Sequence, residues 1–321
     1  MPYAALPPLS ATSALTAWTL EPLMAVLVIA LGAAYLHGIR KVDRWPLART
    51  LFFLVGGLGS IVLMTMWFFG DYDTTLFWPR AVQTVILLMV SPMFLALGMP
   101  VTLLMRTAKP ETAARLSRLG HSRFASIVTF PAFISIALLT TPFAFFYTSW
   151  FDAALRGGWP NYLTHLWLVL VGWAYYWTRL QVDPVPKAFS PLVTIWITGV
   201  EVIFDGGLGL LLMFGHNIVG LEHYQAIRDW GPTPKADQMV GGASYWIIGD
   251  LSGLPFLGAV YRKWIKDDER SSAEIDRELD ELEAAARVAR SQRTDGPDAE
   301  PEPDDGMQAP WWETDPSRLR R

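Results

Sequence analysis

The stretch TLFFLVGGLGSIVLMTMWFFG, from Thr50 to Gly70, runs for 21 residues without a charged side chain. A helix of that length spans ~30 Å of hydrocarbon and satisfies every backbone polar group internally, which no other open structure does in lipid. Working outward, six further predominantly apolar runs follow, with few charges inside them: Leu20 to Leu36, Val82 to Met105, Ala125 to Tyr147, Tyr162 to Trp177, Leu192 to Phe214 and Val240 to Tyr261. The chain of 321 residues is 52% apolar and only 17% charged, which suits a membrane protein and not an ordinary soluble domain. The expected fold is therefore all-α, a polytopic bundle of seven transmembrane helices in the lipid bilayer. Pro92 and Pro100 should kink or end the third helix, leaving backbone groups for a neighbouring helix to cover.

The loops set the expected orientation, because Lys and Arg collect on the cytoplasmic side. Alternate connections hold 14 of the 18 basic residues before Asp267, among them Arg40, Lys41, Arg106, Arg115, Arg179 and Arg262. The other set holds only Arg80, Arg156, Arg228 and Lys235. Seven spans then place the N-terminus outside and the C-terminus in the cytoplasm of a plasma-membrane protein. Residues 1–19 carry no Lys or Arg, so they lack the basic region of a cleavable signal and read as an extracytoplasmic segment before the 20–264 transmembrane domain.

Charge divides the chain at Lys266. Residues 1–266 carry 18 basic and 13 acidic groups, net +5, whereas residues 267–321 carry 8 and 17, net −9. In the second part Ser271 with Glu274 forms a capping-box pattern, and Ile275, Leu279, Leu282, Ala286 and Ala289 form an apolar stripe. A cytoplasmic amphipathic helix is expected within 265–293, from Ser272 to about Arg293, followed by a disordered acidic tail over 294–321. Trp311 and Trp312 in that tail suggest either docking on a cytoplasmic partner or contact with the bilayer surface.

The chain has no Cys, which removes disulfides, thiolate metal sites and cysteine nucleophiles. It has neither a phosphate-cradling Gly-Lys-Ser/Thr loop nor a His-Glu-x-x-His helix, and no Lys lies midway along the last span for a retinal Schiff base. No nucleic-acid partner and no turnover enzyme are expected. Polar groups inside spans are costly and therefore mark candidate sites. Glu201 and Asp205 share a face of helix six, Asp250 lies midway along helix seven, and Arg80 with Gln83 opens helix three; Asp237 precedes the last span. An ion pair between Arg80 and Asp205 is the plain structural reading, and a proton or cation path is the functional alternative. Met64, Met66, His165, His216, His223 and Met239 are all expected toward the outer side, whereas His37 lies at the inner end of helix one. Thioether and imidazole suit Cu(I), so the outward set offers a copper site without Cys; ordinary packing and hydrogen bonding are the alternative for each residue.

Three segments together resemble the CtaG family of seven-helix cytochrome c oxidase assembly factors. They are Gln83 to Thr102, with Ser91-Pro92 and Leu97-Gly98-Met99-Pro100-Val101-Thr102; His165 to Pro184, with Gly172-Trp173, Tyr176-Trp177 and Asp183-Pro184; and Asp237-Gln238, Gly241-Gly242, Trp246 and Gly249-Asp250-Leu251. The Trp-Trp-Glu-Thr-Asp-Pro ending is similar to that of actinobacterial members. The resemblance implies a membrane-embedded helper in the maturation of a haem–copper oxidase, with oxidase subunits as partners and copper delivery to the catalytic subunit as the role. The family's His-x-x-Gln-His pattern is replaced here by Arg80, Gln83 and Thr84, which leaves His165 as the matched position with a metal-ligating side chain. A proton- or ion-conducting transporter built on Glu201, Asp205 and Asp250, and a metal-free membrane scaffold, are the competing expectations.

Overall fold

A computed structural model describes residues 6–120, 122, 130–184 and 191–294. These residues are helical, with no strand among them. The chain divides into two units, Met1–Trp264 and Ile265–Arg321.

In the first unit three helices are long and apolar enough to cross a membrane: Pro22–Ile39, Leu47–Tyr72 and Phe77–Thr107. A fourth candidate is the bent pair Ala132–Tyr147 and Ser149–Leu155, whose axes differ by 70°. Helices also cover the remaining expected spans, as Trp159–Leu180, Pro191–Phe214 and the early part of Pro234–Thr294, but among the described residues three or four crossings are supported by length and composition, where the hydrophobic runs predict seven. In Trp159–Leu180 the polar Asn161, His165 and Arg179 and the many Trp and Tyr rings lower the mean hydropathy, and in Pro234–Thr294 Asp237, Asp250 and the long polar extension do so. Within 125–147, residues 125–129 lie outside the described set.

Burial separates centre from periphery. In Phe77–Thr107, 61% of the most apolar window is buried, against 17% in Pro22–Ile39, so the former is the axis of the unit. Large apolar side chains face outward elsewhere, among them Val26, Ile29, Val55, Ile136 and Ile203. An apolar periphery of this kind is what lipid as solvent requires.

Proline shapes the central helix. Pro92 has no N–H to donate to the Leu88 carbonyl one turn back, and the helix widens into a π-turn over Ile86–Val90 just before it. Gly172 of the Trp159–Leu180 helix lies directly against that freed carbonyl, where a Cβ would overlap the Leu88 oxygen and reach 2.7 Å from the Pro92 ring. Farther along, Met99 takes the left-handed conformation at φ 54° and Pro100 restarts the helix. The Asp183 carboxylate accepts from the exposed amides of Val101 and Thr102 at 3.1 and 2.7 Å, and the Tyr35 hydroxyl donates to the Gly98 carbonyl at 2.7 Å. The expected neighbours that must cover a broken helix are thus Gly172, Asp183 and Tyr35. Gly209 and Gly242 bring two later helices into close approach, since a Cβ on Gly242 would stand 2.9 Å from the Gly209 carbonyl.

The N-terminal segment is tied to the end of the second long helix. Thr19 N–H donates to the Met66 carbonyl at 2.9 Å, and the Tyr72 hydroxyl donates to the Pro7 carbonyl at 2.9 Å. In the second unit helix continues to Thr294 and includes the expected 272–293 helix. The stripe residues Ile275, Leu279 and Leu282 are exposed there. Residues 295–321, with the expected acidic tail and Trp311-Trp312, lie outside the described residues.

Candidate functional site

Six buried polar side chains meet at one end of the central helix. Glu21 occupies the N-cap position of Pro22–Ile39, and Asp73 follows the Leu47–Tyr72 helix. Arg80 and Gln83 stand three apart on the opening turns of Phe77–Thr107, and Asn161 and His165 four apart on Trp159–Leu180, so each pair presents one helical face. Arg80 Nη1 lies 3.1 Å from Asp73 Oδ2 and donates to Gln83 Oε1 at 3.0 Å and Asn161 Oδ1 at 2.7 Å. The Gln83 amide nitrogen donates to the Met64 carbonyl at 2.8 Å and to Asp73 at 3.2 Å, which fixes its oxygen toward Arg80 and His165. Arg80, Asp73, Gln83 and His165 are each 1% exposed. Charges buried this deeply survive only when paired and hydrogen-bonded, and this network does both.

Arg80 therefore pairs with Asp73 and not with Asp205. Asp73 falls between the hydrophobic runs, outside the spans in which the sequence offers partners for Arg80. The turn Asp73–Leu76 folds its carboxylate back beneath the next helix instead. The remaining guanidinium nitrogens, Nε and Nη2, have no hydrogen-bond partner among the described residues, and the group lies 6.0 Å from the Phe145 ring centroid.

His165 is fully engaged. Its Nδ1 lies 2.7 Å from Glu21 Oε2, and its Nε2 lies 3.0 Å from Gln83 Oε1 and 3.4 Å from Arg80 Nη1. A metal on Nε2 would displace Gln83 and stand against a guanidinium, so this imidazole does not fit a resident copper ion. The other candidate ligands are dispersed. Met64 and Met66 are buried, with the Met64 carbonyl used by Gln83; His216 is exposed; a His223 ring nitrogen lies 2.9 Å from the Thr74 carbonyl; Met239 is 43% exposed. Among the described residues no group of three or more His, Asp and Glu side chains is disposed to hold a metal.

Asp237 serves as a cap. Its carboxylate accepts from the backbone N–H groups of Phe77 and Trp78 at 2.9 and 3.0 Å, and from Arg228 at 2.8 Å. The neighbouring Gln238 accepts from Val219 N–H at 2.7 Å and donates to the Leu212 carbonyl at 2.9 Å. Burial pushes the Asp237 carboxyl above the usual range, while the two amides and Arg228 pull it back.

A second polar group lies toward the other end of Trp159–Leu180 and on the two later helices. Glu201 accepts a short hydrogen bond from the Tyr175 hydroxyl and stands 3.8 Å from Arg179, which donates to Ser135 at 2.5 Å. Asp205, one turn on, is an electrostatic neighbour of both Glu201 and Asp250. Glu201 thus faces the Arg179 guanidinium, while Asp205 has the Glu201 and Asp250 carboxylates as its charged neighbours, with Tyr175, Tyr176 and Tyr245 buried around the group.

Sequence reasoning singled out Arg80, Gln83 and His165 but not Glu21, Asp73 or Asn161. Glu21 and Asp73 flank apolar runs, and a carboxylate beside a span within reach of a buried Arg is the signal that could have found them.

Residues 29–267 match the family model described as cytochrome c oxidase caa3 assembly factor (Caa3_CtaG). An uncharacterized protein of Mycobacterium leprae is 27% identical over 277 residues, covering 83% of this chain and 42% of that protein. Uncharacterized proteins of Mycobacterium bovis and Mycobacterium tuberculosis are each 26% identical over 294 residues, covering 86% of this chain and 44% of theirs. The chain spans less than half the length of these relatives. No solved structure matches it. The matched stretch takes in the apolar helices and five of the six side chains of the buried network, all but Glu21, and on that match the chain belongs to the cytochrome c oxidase caa3 assembly factor family.

Proposed function

We propose that this chain is a plasma-membrane assembly factor that serves the copper-insertion stage of a haem–copper oxidase by holding the catalytic subunit, with seven spans, an outer N-terminus and a cytoplasmic C-terminus. One observation carries the holding role: both nitrogens of His165, the metal-ligating side chain at a family-matched position, are committed to Glu21, Gln83 and Arg80. The network acts as a rigid keystone that orders four chain segments at one end of the unit, and the exposed apolar helix faces are the surface on which a membrane subunit docks. Copper is cargo in this reading. Met64, whose carbonyl accepts from Gln83 of the network, and Met66 are the soft side chains that meet the ion, and the tail beyond Ile265 recruits a cytoplasmic partner.

Deleting the gene and measuring copper and haem in the purified terminal oxidase tests the reading. A copper-deficient oxidase that retains haem supports it; unchanged copper in the deletion strain overturns it. Complementation separates holding from ligation. A His165→Gln protein, which keeps a donor and an acceptor at that position, restores the oxidase if the network is a keystone and leaves it copper-poor if His165 carries the ion.

A second reading rests on the neighbouring carboxylates Glu201, Asp205 and Asp250, of which Glu201 faces Arg179. Their excess of negative charge in an apolar surrounding suits a proton or cation path. Ion flux in reconstituted vesicles, abolished by Glu201→Gln with Asp205→Asn, would establish this reading; the absence of flux in the wild type would remove it.

A further inference from the structure

The buried network opens on a cavity of about 260 Å³ whose occupant neither the assembly role nor copper explains. Two carboxylates, Glu21 and Asp71, line it together with the Thr65 hydroxyl, while Leu6, Leu20 and Ile227 supply apolar wall. Asp73 and Asn161 also reach it, and no Lys or Arg is among its lining residues.

Counting the acceptors shows which are free. Asp73 Oδ2 is taken by Arg80, Gln83 and Asn161. Asp71 Oδ1 accepts the Thr19 hydroxyl at 2.5 Å. Glu21 Oε2 faces His165 Nδ1, but Glu21 Oε1 has no partner among the described residues, although the residue is only 4% exposed. A carboxylate oxygen removed from water without a donor is costly, so the cavity favours an occupant that brings a positively charged donor to that oxygen. The remaining walls narrow the chemistry. A bare divalent ion wants six or more oxygens and several carboxylates, and no such group of three is present among the described residues. The apolar side instead matches carbon attached to the charge.

We propose that this cavity binds a primary alkylammonium group, with N–H donors on Glu21 Oε1 and the Asp71 carboxylate and its alkyl carbons against Leu6, Leu20 and Ile227. The group belongs either to a free amine or to a lysine side chain of a partner segment, since the head-group chemistry is shared. This inference does not depend on copper handling or on oxidase assembly.

The test uses the full chain in detergent at pH 7 with n-propylammonium chloride, read by calorimetry. Saturable binding by the wild type, weakened about tenfold or more by Glu21→Gln, is expected. That variant keeps a carbonyl acceptor for His165 Nδ1 while removing the charge. If it does not fold, as judged by thermal unfolding, Asp71→Asn is read in its place with the same expectation. Tetramethylammonium, equal in charge but without N–H, should not bind. Equal affinity for tetramethylammonium, unchanged binding in the folded variants, or no saturable binding overturns the proposal. Nα-acetyl-lysine N-methylamide separates the sources: about tenfold tighter binding than propylammonium assigns the group to a partner's lysine, and equal affinity assigns it to a free amine, the site standing in both cases.

Discussion

Replacing Arg80 by Met removes the one cation that faces Asp73 directly, and the cost can be worked from the geometry. Asp73 is 1% exposed and would keep the Gln83 and Asn161 amides, at 3.2 and 3.4 Å, and His165 Nε2 at 3.8 Å, in place of a guanidinium at 3.1 Å. Leaving a buried charge without its partner costs about 3–5 kcal/mol, so Arg80→Met should destabilise by that amount. Asp73→Asn alone should cost nearly as much, because it strands the guanidinium. The double variant removes both charges, and its cost should fall short of the sum by about 2–3 kcal/mol. Geometry makes a sharper claim as well. Arg80 reaches Asp73, Gln83 and Asn161 through Nη1 alone, so a single ammonium can replace much of its role, and Arg80→Lys should cost clearly less than Arg80→Met. Reversible unfolding in mixed micelles, followed by the fluorescence of the 15 Trp, measures all four proteins. Additivity within about 0.5 kcal/mol, or Arg80→Lys as damaging as Arg80→Met, would refute the keystone reading of this network.

Gly172→Ala should destabilise by about 1–3 kcal/mol in the same unfolding assay, since the new methyl meets a backbone carbonyl and a proline ring that have little room to move. Asp183 predicts a pH dependence. Burial raises its carboxyl above the ordinary ~3.9, against the opposing amides of Thr102 and Val101, so the folded chain holds the proton more tightly than the unfolded one. Its contribution to stability therefore falls as pH rises from about 4 through the raised value, and is level above it. Asp183→Asn should remove that slope; an unchanged stability profile between wild type and variant would contradict it. Removal of residues 265–321 should lower oxidase assembly without altering unfolding of the Met1–Trp264 unit, and normal oxidase levels in the truncated strain would dismiss the tail as a recruiter.

Much was legible in the residues alone: the chain is helical, and three or four of its seven apolar runs form helices able to cross a membrane, because a run of apolar side chains can satisfy its backbone in lipid only as a helix. The sequence also singled out Pro92 and Pro100 as breaks, since a missing N–H is a local fact of the residue. Arg80, Gln83 and His165 were legible for a similar reason: a polar group inside a span is conspicuous wherever it points. Their partners were not. Asp73 lies between the hydrophobic runs and Glu21 at the very start of one, and their carboxylates reach the network only because a tight turn and a helix start fold back under the central helix. The pairing of Arg80 with Asp73, and the commitment of both His165 nitrogens, are long-range matters of which helix ends meet, since hydrophobic periodicity reports which face is apolar and not which neighbour it finds. That both His165 nitrogens find partners, Glu21 on one side and Gln83 with Arg80 on the other, is visible only once the helices are packed.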